Sequence, residues 1–511
     1  MRLRRALKIA AAVVGGLVVL VAGFALYVAT RPPDPFLPVY AEHCAVCHGE
    51  SLEGAAQGPA LVGRALVHGD SVEALSRSIA LGAPQRGMPA WSTVLSEAQV
   101  RGLAILVAEQ RVGRQMVEFK VDKPLAIPSD PIESQLVTFR IEAVAAGLDP
   151  LVFSIAPLAD GSVLVTEKVK GLSVIAPDGT RSAPVRGTPE TSGFGPELNG
   201  LTYGIGWLLD VAPHPNYAEN GWIYLAHGDL CAECKAGGDA LLPRSMIRLV
   251  RGRIRDGSWV DEQVIWSVPD AFYTPVPDMA AGGRIAFSRS GHVFVSVGIK
   301  GAGEHVGIQD LSTPYGKIHR VHDDGRVPSD NPFAEKRGAM PSIWTFGHRS
   351  PQGLEFDSHT GALWESEMGQ RGGDEVNQLR PGANYGWPLV SKGLQYDGTP
   401  VAFGEALGIE LGEQELVPPV VDLTPSPAIS SFVIYQGDEF PEWQGNLIVG
   451  SLKATELYRF EIRDGVLLRQ ELLLTDLARI RDVEVGPHGA IYLLLEHASG
   501  SRIVRLRRSG A

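Results

Sequence analysis

The sequence has little cysteine and no excess of positive charge, and both shortages narrow the classes of function. Four cysteines occur among 511 residues, too few for a disulfide-dense secreted scaffold. The formal net charge is −12, and the acidic excess lies entirely beyond residue 31, which argues against a nucleic-acid partner. The composition, 44% hydrophobic and 20% charged, is globular and excludes a disordered or collagen-like chain.

Length and turn-forming residues indicate the broad architecture. A chain of 511 residues exceeds the roughly 250–300 residues at which single cores stop growing, so at least two domains are expected. The 59 glycines and 36 prolines lie well above the usual combined share of about 12%. This excess predicts a turn-rich protein that is mostly β.

A long uncharged run, residues 9–29, lies near the amino terminus and follows four basic residues. At about 1.5 Å per residue the run spans roughly one hydrocarbon core. The alternative is a cleaved signal peptide, whose apolar region is shorter and ends in a small-residue cleavage site. We therefore expect residues 1–31 to form a cytoplasmic tail and a single N-terminal transmembrane helix in the inner (cytoplasmic) membrane. The positive-inside rule then places the other domains on the periplasmic, extracytoplasmic side.

Residues 44–48 read CAVCH, the pattern of covalent haem attachment. Two thiols three residues apart can reach the two vinyl groups of the porphyrin, and the adjacent imidazole can bind the iron. The motif predicts one c-type haem (heme c) on Cys44 and Cys47, with His48 as an axial ligand. A disulfide or half of a zinc site is the alternative, although no second pair stands at zinc-finger spacing.

Met88 is the predicted second axial ligand, since electron-transfer haems commonly use a thioether there. It lies in a Gly/Pro loop ahead of a helix that begins with a capping-box pattern at Ser96 and Gln99. His43 and His68 are the competing ligands. This arrangement resembles the small monohaem cytochromes c, so we expect an all-α cytochrome c domain over residues 36–115 and a linker over residues 116–135.

The remainder of the chain repeats one unit six times: an apolar strand, a turn glycine and a β-rich strand. The turn glycines are Gly161, Gly221, Gly291, Gly361, Gly445 and Gly489. Repetition of one β-unit predicts a six-bladed, all-β propeller over residues 136–508. A pair of β-sandwiches, the alternative architecture, would not explain the repeat.

Five segments of this region occur in the same order in a known family. They are residues 347–353 (GHRSPQG), 371–377 (RGGDEVN), 384–388 (NYGWP), 451–453 (SLK) and 479–483 (RIRDV). The region resembles the soluble glucose dehydrogenases and aldose sugar dehydrogenases, six-bladed propellers that use pyrroloquinoline quinone (PQQ) and Ca²⁺. The resemblance implies oxidation of a sugar or related alcohol. The fusion to a haem domain then predicts that electrons pass to the haem and on to a respiratory-chain acceptor.

The resemblance also implies a set of binding residues. The PQQ-binding cations would be Arg349, Lys453, Arg479 and Arg481, whose charges suit a planar tricarboxylate. Backbone carbonyls of Gly369 and Gln370 would bind the catalytic calcium, a hard cation that prefers oxygen. Glu375 and the carbonyl of Tyr385 would bind a second, structural calcium.

Other positions depart from the family pattern. The position of the family's general base, a histidine, is Ala280, and that of its orienting carboxylate is Ile299. Three further departures near the expected cofactor are Ile205, Ser350 and Met368. Alanine and isoleucine accept no proton, so the catalytic base is unknown, with Glu304 and His305 as weak candidates on a glycine-rich loop.

Two hypotheses from different classes follow. The first is a membrane-anchored quinohaemoprotein that oxidises a sugar or alcohol. The second is an electron-transfer cytochrome whose propeller binds a ligand or partner without catalysis, which the missing base favours. Cys231 and Cys234, in a loop of the propeller, are expected to form a short-loop disulfide, since this domain is expected to be exported.

Overall fold

A computed structural model describes residues 34–510 apart from 115–118, 196, 199–200, 203, 232–233, 235–242, 301–304 and 411–414. The expected anchor at residues 1–31 lies outside the described residues. Within them, no helix is both long enough and apolar enough to cross a membrane.

The amino-terminal described residues form a small all-α domain, as the sequence predicts. Its helices are α1 (Phe36–His43), α2 (Ala45–His48), α3 (Val72–Leu81) and α4 (Glu97–Arg111), with 3₁₀ turns at Pro84–Arg86 and Trp91–Thr93. The predicted capping box is present, because the Ser96 hydroxyl accepts from the Gln99 N–H and the Gln99 side chain accepts from the Ser96 N–H. Helices α1 and α4 pack closely at Gly102, where an added Cβ would lie 2.0 Å from the Phe36 ring.

The rest of the described chain is a propeller of six blades built from antiparallel strands. Blade one comprises β3 (Val152–Pro157), β4 (Val163–Glu167) and β5 (Gly171–Ile175); strands β1 (Ile132–Glu133) and β2 (Thr138–Leu148) precede it, and a short hairpin of β6 (Glu197–Leu198) and β7 (Leu201–Thr202) follows it. Blade two comprises β8 (Leu208–Pro213), β9 (Ile223–Cys231), β10 (Arg244–Arg255) and β11 (Ser258–Trp266), with helix α5 (Tyr217–Asn220) between β8 and β9. Blade three comprises β12 (Gly282–Phe287), β13 (His292–Val297), β14 (Lys317–His322) and β15 (Ile343–Phe346).

Blade four comprises β16 (Pro351–Phe356), β17 (Leu363–Glu367), β18 (Glu375–Leu379) and β19 (Val421–Asp422), with helix α6 (Gly404–Leu407) between β18 and β19. Blade five comprises β20 (Ile429–Ile434), β21 (Leu447–Ser451), β22 (Leu457–Arg463) and β23 (Val466–Leu474). Blade six comprises β24 (Arg479–Val485), β25 (Ile491–Glu496) and β26 (Ser501–Arg508).

The blades close into a ring. The first strand of each blade contacts the first strands of the two neighbouring blades, from β3 through β24 and back to β3. Strand β2 pairs with β26, in the register Phe139 to Arg508, and so joins the two ends of the ring. The six-bladed propeller is therefore confirmed, and the sandwich pair is excluded.

Each predicted turn glycine lies between the first and second strands of one blade, and all six have φ between +66° and +85°. This left-handed backbone favours glycine because it has no Cβ. The six glycines consequently turn the chain at one end of the propeller. At the opposite end, which we call the upper face, the first strands begin and the second strands end.

A buried ion-pair network holds the first strands together at the centre. The Arg284 guanidinium donates to Asp210 at 3.0 Å and to Asp482 at 2.8 Å, and its Nε donates to the carbonyl of Gln352 at 2.7 Å. These residues belong to blades two, three, four and six. The network therefore fixes the geometry of the strands from which the upper face is built.

Candidate functional site

The thiols and imidazole of the CAVCH motif lie together on α2 and the turn before it. Cys44 and Cys47 are not joined to each other, and burial together with Cys47 raises the pKa of the Cys44 thiol to about 11. His48 Nδ1 lies 2.8 Å from the carbonyl oxygen of Pro59. When Nδ1 donates its proton to that oxygen, Nε2 keeps a free lone pair that can bind a haem iron. These residues therefore fit the predicted haem c.

Met88 lies in a constrained loop between the two 3₁₀ turns. Its backbone exchanges two hydrogen bonds with Ala83, at 2.9 and 3.2 Å, and the preceding Gly87 has φ +86°. Of the competing ligands, His68 is exposed and His43 faces the ring of Trp91 at 5.2 Å. The loop therefore fixes the backbone of Met88, and Met88 stays the predicted second axial ligand.

The helical domain packs against the upper face of the propeller through a buried ion-pair cluster. Arg371, which follows β17, donates to both oxygens of Asp34 at 2.9 and 2.6 Å and to Glu109 of α4 at 2.8 Å. The Arg371 side chain is fully buried and lies over the Phe36 ring at 5.2 Å. One propeller arginine thus binds two carboxylates of the helical domain, which we call the Arg371 cluster.

Further contacts extend this interface over blades four and five. The Arg101 Nε donates to the carbonyl of Lys392 at 2.9 Å, and Arg114 donates to the carbonyl of Pro425 and to the Tyr458 hydroxyl at 3.1 and 3.0 Å. Leu394 is buried in the apolar core of the helical domain. The cytochrome-like domain is therefore seated on the upper face.

Two of the four predicted cofactor cations share one buried carboxylate. Glu496 accepts from Arg479 Nε at 2.7 Å and from Arg481 Nη2 at 3.1 Å, and it lies 3.4 Å from Lys168 Nζ. We call these four residues the Glu496 cluster; sequence reasoning identified the two arginines and missed Lys168 and Glu496. Three basic groups thus surround a single anion.

Burial and the excess of positive charge in the Glu496 cluster shift the pKa values of Glu496 and Lys168. Burial alone would raise the pKa of Glu496, but Arg481 and Arg479 hold it well below its ordinary value. Burial, and then repulsion by Arg481, lowers the pKa of Lys168 to about 7. An anionic ligand would offset the excess of positive charge, so the cluster fits a carboxylate-bearing cofactor.

Arg349 and the predicted calcium carbonyls lie at the same end of blade four. Arg349 precedes β16, and its Nη1 donates to the carbonyl oxygens of Met368 and Gly369 at 3.0 and 2.9 Å. The side chain of Gln370, the other predicted calcium-binding residue, donates to Gln395. The Gly369 carbonyl is a hard oxygen ligand of the kind that calcium prefers, and here it accepts from the guanidinium of Arg349.

Lys453 links the cofactor cations to the helical domain. It is buried after β21 on the upper face. Burial raises the pKa of Glu109, and the charges of Arg371 and Lys453 oppose that shift. The Glu109 carboxylate of helix α4 therefore interacts electrostatically with Lys453, a predicted cofactor-binding residue.

The second predicted calcium pair is also on blade four. Glu375 begins β18, and burial together with the carboxylates of Glu367 and Asp422 raises its pKa well above the ordinary value. Tyr385 is buried, and its ring stacks on His348 at 4.9 Å. A bound cation would stabilise the charged forms of these crowded carboxylates, so their arrangement fits a cation site.

The position of the family's base carries no proton acceptor. Ala280 ends a 3₁₀ turn, and Ile299 is buried with its N–H donating to the carbonyl of Arg349 at 3.0 Å. Beside them Lys300 forms a fully buried ion pair with Asp278 at 2.8 Å, and Asp278 also accepts from the Gly206 N–H at 2.7 Å. The sequence did not indicate this ion pair. Both residues hydrogen-bond to each other and to neighbouring protein groups.

The other departures have local partners. The Ser350 hydroxyl accepts from the Gln352 side chain at 3.0 Å, and Met368 offers only its backbone carbonyl to Arg349. Ile205 is buried close to Trp207, whose ring lies 4.6 Å from Lys168 Nζ. Ile205 therefore supplies no polar side chain where the family has a glutamine.

One of the two weak base candidates and the second cysteine pair belong to the described residues. The His305 ring stacks on Phe403 at 4.5 Å, and Glu304 lies outside the described residues. Cys231 and Cys234 form a disulfide, in agreement with the sequence-based expectation.

Comparisons with known proteins agree with this architecture. The family model "Glucose / Sorbosone dehydrogenase" matches residues 149–505, and the model "Cytochrome C oxidase, cbb3-type, subunit III" matches residues 36–106. Aldose sugar dehydrogenase YliI of Escherichia coli K12 is 34% identical over 328 residues, which cover 62% of this chain and 80% of that protein. The chain belongs to the glucose/sorbosone dehydrogenase family.

A second relative and a solved structure are also similar to this chain. Quinoprotein glucose dehydrogenase B of Acinetobacter calcoaceticus is 25% identical over 417 residues, covering 67% of this chain and 82% of that protein. The apo crystal structure of the soluble aldose sugar dehydrogenase of E. coli has a TM-score of 0.59 at 29% identity, covering 72% of this chain and 99% of that one. The chain is therefore an oxidoreductase in which a sugar dehydrogenase propeller is fused to a cytochrome c domain.

Proposed function

We propose that the protein is a quinohaemoprotein-type dehydrogenase that binds PQQ and Ca²⁺ on the upper face and one haem c on the helical domain. Its substrate would be a sugar or a related alcohol. When bound, PQQ accepts the electrons released by the substrate hydroxyl, and the haem passes single electrons to a respiratory-chain acceptor.

The observation that carries this proposal is the position of the cytochrome domain. Helix α4 lies against the upper face, where Glu109 interacts with Arg371 and with the charge of Lys453. The same face carries Arg349 and the Glu496 cluster. Tethering and packing hold the two redox sites at high effective concentration, which favours electron transfer within one chain.

The residues of the upper face would bind and orient the quinone. Arg479, Arg481 and Lys168 supply positive charge in a buried setting where one carboxylate, Glu496, incompletely balances them. Arg349 and Lys453 approach from blades four and five. The Acinetobacter relative is a quinoprotein, which supports this cofactor. Gly369 and Gln370 would supply carbonyl oxygens to calcium, and Glu375 with the Tyr385 carbonyl would bind the second calcium.

On the helical domain, Cys44 and Cys47 would hold the haem covalently. The Pro59 carbonyl orients His48 for iron, and the Met88 loop would supply the thioether on the other side. In this proposal the cytochrome domain comprises residues 36–115, the linker residues 116–135 and the propeller residues 136–508.

The absence of a base at Ala280 bears on substrate and rate. Asp278 and Lys300 are engaged with each other, so neither replaces the missing histidine. Family membership supports an enzyme over a propeller that binds without turnover. We therefore infer slow oxidation of common aldoses, because a positioned base typically contributes about 10²–10⁴-fold.

Location follows from the amino terminus. Residues 1–31 would anchor the chain in the inner membrane with its amino terminus in the cytoplasm, and both domains would lie in the periplasm. Fractionation tests this: the full chain should stay with membranes after a high-salt wash, and a soluble mature chain starting near Arg31 would contradict it.

The function is tested on the purified full chain supplied with PQQ and Ca²⁺. An anaerobic panel of aldoses and alcohols should reduce the haem, seen as growth of its reduced absorption bands. A variant with Cys44→Ala and Cys47→Ala is the matched control; it should lose the haem yet still reduce a soluble dye. Failure of every substrate to reduce either the haem or the dye, with PQQ bound, would favour the non-catalytic alternative.

A further inference from the structure

A buried group of metal-ligand side chains on blade four adjoins the predicted calcium pair, since Glu367 is the cross-strand partner of Glu375 and the His348 ring stacks on Tyr385. His348, Glu365 and Glu367 each place a ligand atom within 4.8 Å of the other two, and all three are buried. His348 Nδ1 lies 3.6 Å from Glu367 Oε1 and 3.8 Å from Glu365 Oε2. We call these residues the blade-four triad.

The strand register explains why the triad forms. Glu365 and Glu367 alternate along β17 and therefore share one face of the blade, while the intervening Ser366 points the other way and donates to the carbonyl of Ser430. Asn377 of β18 is the direct partner of Glu365 and lies on the same face. His348 approaches from the segment that precedes β16.

The triad has unsatisfied polar atoms. His348 Nδ1, Glu365 Oε1 and Asn377 Oδ1 are buried and have no hydrogen-bond partner within the described chain. His348 Nε2 lies 2.9 Å from the Thr345 hydroxyl, which can accept its proton and leave a lone pair on Nδ1. Both carboxylates have His348 as their ion-pair partner in the described residues. Two carboxylates buried side by side are unfavourable without a cation.

We propose that the blade-four triad binds a divalent first-row transition ion, such as Zn²⁺. Two carboxylates and a neutral imidazole would balance the charge of a divalent ion, and Glu375, the cross-strand partner of Glu367, adds a further carboxylate beside them. Such ligands lie about 2.0–2.2 Å from Zn²⁺, so neighbouring ligand atoms stand about 3.3–3.6 Å apart in a tetrahedron. The distances from His348 Nδ1 to the two carboxylates, 3.6 and 3.8 Å, are close to that spacing. An imidazole nitrogen is a poor ligand for Ca²⁺, which takes oxygen.

The triad lies beside the calcium pair expected at Glu375 and Tyr385 and differs from it in chemistry, because that pair offers only oxygen and the triad adds the nitrogen of His348. The ion would act as a positioning element for the cofactor face, because Glu367 Oε2 accepts from the backbone N–H of Arg349 and of Ser350, at 2.5 and 3.3 Å. A Glu367 carboxylate fixed by metal on Oε1 would hold the backbone of Arg349. The inference does not depend on the proposed function.

The test measures metal content by mass spectrometry on the full chain after dialysis against excess Ca²⁺. The wild type should retain about one transition ion per chain, and Glu365→Gln should reduce that content at least about tenfold. Glu355→Gln, on strand β16 of the same blade, is the matched control and should retain the ion. Wild type with calcium alone or with no metal, or equal ion content in Glu365→Gln, would overturn the proposal.

A second measurement avoids any effect of the variant on folding. Anomalous diffraction from wild-type crystals, recorded on both sides of the zinc and manganese absorption edges, should show a peak between His348 Nδ1 and the two carboxylates. Absence of a peak there, or a peak with the weak signal of calcium, would contradict the assignment.

Discussion

Replacing Arg371 with methionine should detach the cytochrome domain from the propeller. The arginine is fully buried and is the shared partner of Asp34 and Glu109. Methionine has a similar length but no charge, so Arg371→Met leaves two carboxylates in the interface without their cation. Removing one partner of a buried ion pair typically costs about 3–5 kcal/mol, at least roughly a hundredfold in the docking equilibrium.

The assay for this prediction is hydrogen exchange of the interface. Backbone amides of residues 36–43 and 392–398 should exchange faster in Arg371→Met, and small-angle scattering should show a more extended particle. Arg101→Met is the comparison variant: it removes the exposed hydrogen bond to Lys392 and the partly exposed ion pair with Glu73, at 3.7 Å, but leaves the Arg371 cluster intact. We therefore expect a smaller effect, of about 1–2 kcal/mol or less.

Two results would refute the reasoning. Unchanged exchange and scattering in Arg371→Met would show that the cluster does not hold the domains together. A variant that combines Arg371→Met with Asp34→Leu and Glu109→Leu should recover most of the docking, because replacing a whole buried ion-pair set with apolar residues is often neutral. No recovery would mean that the loss came from elsewhere.

Four further outcomes are expected. Met88→Ala should remove the weak thioether-to-iron absorption band and lower the haem potential; an unchanged spectrum would assign the sixth ligand elsewhere. Arg481→Ala should weaken calorimetric PQQ binding by about 1.5–3 kcal/mol, and equal affinity would remove it from the site. Because the pKa of Lys168 is lowered to about 7, its ammonium is present below that pH, so PQQ affinity should fall as pH rises through 7, and Lys168→Met should abolish this dependence. Ala280→His combined with Ile299→Asp should raise aldose-dependent haem reduction by up to about 10²–10⁴-fold, and brisk turnover by the unmodified chain would contradict the impaired site.

The fold was predictable because its signals are local. The six turn glycines need positive φ at one recurring position, and the capping box at Ser96 and Gln99 is complete within four residues. The CAVCH motif is equally local, since the two thiols and the imidazole must reach one porphyrin. Local patterns of this kind carry their geometry with them.

The arrangement of the site was harder to predict from the sequence, because it depends on contacts between residues that are separated along the chain. Arg371 meets Asp34 across more than three hundred residues, and Lys168 meets Glu496 across a similar distance. The Lys300–Asp278 ion pair beside Ala280 likewise forms only when the segments before β12 and after β13 are brought together. His348, Glu365 and Glu367 become a triad only once the strand register is known.

The central claim, that electrons pass from the propeller to the haem of the same chain, is tested most directly by the kinetics of haem reduction. The full chain, loaded with PQQ and Ca²⁺, is mixed anaerobically with an oxidisable substrate over a range of protein concentrations. The account predicts a first-order rate that does not change with protein concentration, because the Arg371 cluster holds the two domains together. A rate that rises in proportion to protein concentration would show transfer between molecules and contradict the account.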